Sequence, residues 1–148
     1  LSQEMPDFLP DRIEAGTHNM PGIAGLLAGV RFVRRQGTQA ILRHEHALTC
    51  RTAESLRRLP GVEVLAHPGC LAQAGVVSFR VPGRDAETVG EALARRGIAV
   101  RAGLHCAPLA HRTAGTLDTG TVRVSFSAFN TPQEADRLAE AVGDILRR

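Results

Sequence analysis

Apolar residues recur at helical spacing early in the chain and give way to strand-like alternation further on. Ile23, Leu26, Leu27, Val30 and Val33 share one helical face. Pro21 suits a first helical turn, with Asn19 or Met20 ahead of it, so a helix is predicted from there to a stop at Gly37. Gly22, Gly25 and Gly29 lie near one side of this helix. A glycine inside a helix costs about 1 kcal/mol relative to alanine, so close approach of another backbone is the expected reason for them. Before this helix, Pro6, Pro10 and the Gly16-Thr17-His18-Asn19 run predict irregular structure over 1–19.

Thr38 is placed to cap a second helix running to about Leu59, with Ile41, Leu48, Leu56 and Leu59 as its apolar stripe and Pro60-Gly61 as its stop. A strand is predicted over 62–66, a turn at His67-Pro68-Gly69, and a second strand over 76–81. Asp85 caps a helix over 86–96, with Val89 and Leu93 inward and Gly97 at its end. A third strand is expected over 98–102, then a polar, glycine-containing loop over 103–120. In a fourth strand, over 121–127, Val122, Val124 and Phe126 alternate with Thr121, Arg123 and Ser125. The last helix has the strongest start: Thr131 as cap, Pro132 first, and Glu134 completing a capping box. Ala135, Leu138, Ala139, Val142, Ile145 and Leu146 form its buried face. This order specifies an α+β layer, a short, mostly antiparallel sheet covered by helices. The expected division is an irregular segment at 1–20, linking helices at 21–59 and an α+β domain at 60–148.

Composition narrows the function classes. The chain has 148 residues, 43% hydrophobic and 22% charged, enough for one real core. No apolar run approaches the roughly 20 residues of a membrane span, and the polar start Leu-Ser-Gln-Glu-Met-Pro-Asp lacks the pattern of a secretory leader. Three Cys do not suggest a disulfide framework, so a reducing compartment, the cytoplasm, is expected. Leu at the first position leads to the expectation of a processed chain or a piece of a longer one. The net charge is +3, the arginines are dispersed, and Tyr and Trp are absent, so no nucleic-acid partner is expected. All 18 basic residues are Arg. Without lysine, no side chain can form a Schiff base with an aldehyde cofactor or a carbonyl substrate.

The 103–120 loop is the first place to look for chemistry, because a loop this long in a compact domain is usually either functional or disordered. Cys106 stands beside His105 and near Arg101, the accessible, cationic setting in which a cysteine serves as nucleophile; a passive loop cysteine is the alternative. Arg123 lies mid-strand opposite the apolar face, where a planar guanidinium suits bidentate capture of a carboxylate; an exposed polar sheet face is the alternative. Gly16 and Thr17, just ahead of a helix, could hold a phosphate through backbone N–H groups and a hydroxyl, or could simply belong to a cap. His46 and Cys50, four apart on a helix, could share a metal, and His105, Cys106 and His111 could cluster. No Cys-x-x-Cys or His-Glu-x-x-His pattern is present, and no metal is expected. Cys50 and Cys70 read as buried small residues.

Glu14-Ala15-Gly16-Thr17-His18-Asn19, Pro21-Gly22-Ile23-Ala24-Gly25-Leu26, Arg101-Ala102-Gly103-Leu104-His105-Cys106-Ala107-Pro108, and Thr119 to Ser125 running on through Phe129-Asn130-Thr131 occur in this order. Together they resemble the C-terminal, small-domain part of pyridoxal-phosphate-dependent cysteine desulfurases of the class V aminotransferase superfamily. The resemblance covers essentially the whole chain. It implies the small domain of the type I fold of pyridoxal-phosphate transferases, with the 1–20 segment at a domain or dimer interface and the large, lysine-bearing domain outside this sequence. It implies that Cys106 attacks the sulfur of L-cysteine and becomes a persulfide, that alanine is released, and that the sulfur passes to an acceptor protein. It also implies that Arg123, with Arg101, binds the substrate, and that Gly16 and Thr17 reach the phosphate of pyridoxal 5'-phosphate in the partner subunit of a homodimer.

Two other readings remain open on the sequence. One is a class V aminotransferase-like enzyme without persulfide chemistry; the other is a stand-alone, non-enzymatic subunit or sulfur carrier. Lacking lysine, the isolated chain is expected to be catalytically silent. Its glycine-rich first helix is expected to leave apolar surface exposed.

Overall fold

The computed structural model describes residues 6–14, 16–70 and 73–147. Leu1–Met5, Ala15, Leu71, Ala72 and Arg148 lie outside the described residues, so the irregular structure expected over 1–19 is described only in part. Two compact units are formed, Leu1–Thr38 and Gln39–Arg148.

The first unit carries α1, Met20–Gln36. Asn19 caps it, its side-chain oxygen accepting from the Gly22 N–H at 3.0 Å, and Gly37 closes it by donating its N–H to the Val33 carbonyl at 2.8 Å. None of its residues is buried, and Leu26 is 70% exposed. The apolar stripe predicted from the spacing is therefore present and open to solvent, as is the space beside Gly25 and Gly29.

The second unit is built from α2 (Thr38–Arg57, all but its first residue), β1 (Glu63–Leu65), a 3-10 turn (Pro68–Cys70), β2 (Val76–Arg80), α3 (Ala86–Ala94), β3 (Arg101–Gly103), α4 (Pro108–Thr113), β4 (Thr121–Ser125) and α5 (Pro132–Leu146). The four strands form one antiparallel sheet in the order β1-β2-β4-β3. Alternation sends Val77 and Phe79 of β2 and Val122 and Val124 of β4 to one face. There they join Ala53 and Leu56 of α2, Val89 and Leu93 of α3, and Leu138, Val142 and Ile145 of α5 in a single core. Phe79 is fully buried at its centre, and truncating such a residue to alanine costs about 3–5 kcal/mol. The α+β layer is thus as predicted, and the Thr131/Glu134 capping box is formed.

Two local expectations differ. The third strand begins at Arg101 rather than 98. Gly97, at φ +74°, turns the chain at the end of α3, and the Ile98 N–H is taken by the Leu93 carbonyl at 3.1 Å. The 103–120 loop contains a helix, α4, with Pro108 in its first turn and no side-chain cap. Its six residues are too few to show periodicity.

Candidate active site

The outer face of the sheet carries one continuous cross-strand row. Leu65 of β1 pairs with Ser78 of β2, Ser78 with Arg123 of β4, and Arg123 with Arg101 of β3. Two guanidinium-bearing residues therefore stand directly opposite each other on neighbouring strands. Like charges in this position repel. The neighbouring row solves the same problem by pairing Arg80 with Glu63 at 2.7 Å. Arg123 has no such relief: its Nε is buried and has no hydrogen-bond partner. A buried donor without an acceptor is costly, and an anion held between Arg101 and Arg123 satisfies both the charge and the donor.

The loop leaving β3 brings a thiol to this pair. Arg101 Nη2 lies 3.7 Å from Cys106 Sγ, and Cys106 is exposed. Residues His105 and Cys106 both take left-handed backbone angles, φ +53° and +58°. Consecutive non-glycine residues there are uncommon and strained. The turn is tied by the Ala107 N–H donating to the Leu104 carbonyl at 2.9 Å, and α4 follows at once. At the base of the loop, Gly103 and Gly120 meet backbone to backbone. A side chain on Gly120 would begin 2.9 Å from Gly103 Cα, so no other residue fits there without displacement.

Behind the turn, the His105 imidazole Nε2 shares a hydrogen bond with Thr121 Oγ1 at 3.1 Å. Burial, and then the charge of Arg123, with further contributions from His111 and Arg101, hold the His105 pKa below its ordinary value. His111 is buried, and its Nδ1 shares a hydrogen bond with Thr116 Oγ1 at 2.8 Å. Its ring lies 5.6 Å from that of His105. A cavity between α4 and the outer sheet face is lined by Leu65, Ser78, Thr121, His105 and His111.

The structure thus brings Arg101, Cys106 and Arg123 together. Gly16 and Thr17 belong to the other unit, where both are exposed and Gly16 adopts φ +83°. Cys70 is buried as predicted and Cys50 is half-buried. His46 Nε2 is engaged by the Cys70 carbonyl at 2.7 Å, with Cys50 Sγ at 3.6 Å. Among the described residues, no group of three or more His, Cys, Asp and Glu is arranged to hold a metal ion, and no helix is long and apolar enough to cross a membrane. Sequence reasoning missed Thr121 as part of the site. Alternation put it on the outer face, and only the returning loop buries it.

Comparison with known proteins adds an independent line. The aminotransferase class-V family model matches residues 3–138. A probable cysteine desulfurase of Mycolicibacterium paratuberculosis is 41% identical over 136 residues, covering 92% of this chain and 19% of its own length. A cysteine desulfurase of Synechococcus elongatus is also 41% identical over 136 residues, covering 92% of this chain and 21% of its own. The apo structure of the cysteine desulfurase of Thermococcus onnurineus superposes with a TM-score of 0.83 at 38% identity, over 93% of this chain and 34% of that one. The chain therefore spans about a fifth to a third of the length of the proteins it resembles.

Proposed function

The chain belongs to the aminotransferase class-V family, and on that premise we propose that it is the small-domain part of a pyridoxal-phosphate-dependent cysteine desulfurase acting in the cytoplasm. The observation that carries this reading is the pairing of Arg101 with Arg123, with Cys106 Sγ 3.7 Å from Arg101. An amino-acid carboxylate seated on the two guanidinium groups lies within reach of the loop thiol. The unpartnered Arg123 Nε is the donor such an anion would satisfy.

The fit to the cofactor is partial, and the division of labour follows from it. Gly16 and Thr17, in an exposed turn, offer a backbone amide and a hydroxyl to a phosphate. In a homodimer this phosphate would be that of the cofactor in the partner subunit. The covalent anchor is a lysine, which this sequence does not contain. When bound, pyridoxal phosphate supplies the electron sink that makes the β-carbon of the amino acid a leaving centre.

This chain's own residues do the rest. Arg101 and Arg123 fix the substrate carboxylate. Cys106 Sγ attacks the substrate sulfur. An S–S bond forms, the sulfur–Cβ bond breaks, and Cβ gains a proton, so L-cysteine and the thiol become alanine and a Cys106 persulfide. Exposure of Cys106 allows the terminal sulfur to pass to an acceptor protein.

The test is mass spectrometry of the assembled enzyme after incubation with L-cysteine. The expected result is one added sulfur atom on the peptide containing Cys106, removed by reductant and absent in Cys106→Ala. Turnover with no sulfur on Cys106 would instead favour a class V enzyme without persulfide chemistry.

A further inference from the structure

The Cys106 turn is strained, exposed and short, yet it holds Sγ beside Arg101. Something must pay for two successive left-handed residues. The turn's own bond, Ala107 N–H to the Leu104 carbonyl, is local. Gly103 and Gly120 pin the base of the loop but not its tip. Two side-chain bonds run from the strained pair back to the sheet: Arg101 Nη2 donates to Cys106 Sγ at 3.7 Å, and the shorter one joins His105 to Thr121 at 3.1 Å. Thr121 is 2% exposed, so its hydroxyl has no water to turn to, and losing the imidazole would orphan it.

We propose that His105 and Thr121 form a latch that holds the Cys106 turn closed against β4, making His105 a positioning residue for the sulfur-accepting thiol. The proposal rests on the desulfurase reading for its purpose but not for its geometry. His111, hydrogen-bonded to Thr116, stands beside the His105 ring at 5.6 Å.

The latch is sensitive to pH. The groups facing the His105 ring are Arg101 of β3, Arg123 and Thr121 of β4, and His111 of α4. The three ionisable ones are cations or become cations on protonation. The ring's other nitrogen, Nδ1, is buried and unpartnered. A proton placed on it would leave a charged N–H with no acceptor in a ring of positive groups. The closed latch therefore needs the neutral imidazole and opens as pH falls.

The test is hydrogen exchange of the backbone amides of 104–107 in the full chain, expressed as protection relative to the free peptide. Thr121→Val keeps the volume and removes the hydroxyl. It is expected to lower protection about fivefold, the equivalent of one net hydrogen bond, while Thr121→Ser keeps protection near wild type. Unchanged protection in Thr121→Val overturns the proposal. Nuclear magnetic resonance of the wild-type His105 ring needs no variant. It is expected to show a ring that takes up its proton only below the ordinary histidine value, with loop protection lost in step with its protonation. A ring that titrates at or above the ordinary histidine value, or protection that ignores its titration, also overturns the latch. Neither readout uses sulfur transfer. A closed latch with no persulfide on Cys106 would sink the proposed function alone, and a persulfide with no latch would sink this inference alone.

Discussion

Replacing Arg123 by methionine tests the central feature of the site without any cofactor. In the free chain Arg123 stands directly opposite Arg101, and its Nε is buried with no partner. Like charges facing each other across two strands cost about 0.2–1 kcal/mol. An unsatisfied buried donor costs about 1–3 kcal/mol. Methionine keeps most of the apolar stem and removes both penalties, so Arg123→Met is expected to stabilise the free chain by about 1–3 kcal/mol. For a chain near this length that raises the midpoint of thermal unfolding by about 2–4 °C per kcal/mol. Urea unfolding at low and high salt separates the two contributions. The charge part fades as the screening length falls from about 10 Å at 0.1 M salt to about 3 Å at 1 M, and the donor part remains. An added carboxylate should narrow the gap by stabilising the wild type alone. A variant less stable than wild type at both salts would refute the reasoning, because Arg123 would then be satisfied within the chain and no anion would be called for.

Other outcomes follow from the same geometry. At about pH 8 an alkylating reagent should label exposed Cys106 first; Cys70 is buried, and the Cys50 pKa is pushed up to about 12, first by burial and then by the Cys70 side chain beside it, as peptide mapping can check. Thr131→Ala removes the capping-box hydroxyl of α5 and should cost about 1 kcal/mol in urea unfolding. His105 has a folded pKa below its unfolded value, so between the two the unfolded chain binds more protons. Its contribution to stability should be intact above the unfolded value of about 6.5 and decline as pH falls toward the folded one. Thermal scans of wild type against His105→Gln should show this part of the pH dependence disappear.

The helices that carry whole turns of pattern and chemically explicit ends were legible. Thr131, Pro132 and Glu134 announced α5, and Asp85 announced α3, where its carboxylate accepts from Glu87 and Thr88 as a cap should. The antiparallel layer followed from the order of elements. What could not be read was register. Arg101 and Arg123 were each noticed, but that they face each other depends on which residues of β3 and β4 pair, a long-range fact that one strand's pattern does not encode. The burial of Thr121 has the same origin, since it is covered by a histidine sixteen positions earlier in the chain. The short helix α4 left only Pro108 as a local trace.

The Gly103–Gly120 contact has a consequence for how this region can change. The chain leaves the sheet at one glycine and returns at the other, with the two backbones touching. The segment between them is clamped at this neck and tied to the sheet further out only by side-chain bonds, from Thr121, Arg101 and Arg80. Closure entropy rises only slowly with loop length, so residues can be added or removed beyond the neck without moving β3 or β4. The guanidinium pair stays where the sheet puts it, and the segment bearing the thiol is free to be remodelled. The guanidinium pair and the segment bearing the thiol are thus separately adjustable parts, joined where Gly120 leaves no room for a side chain.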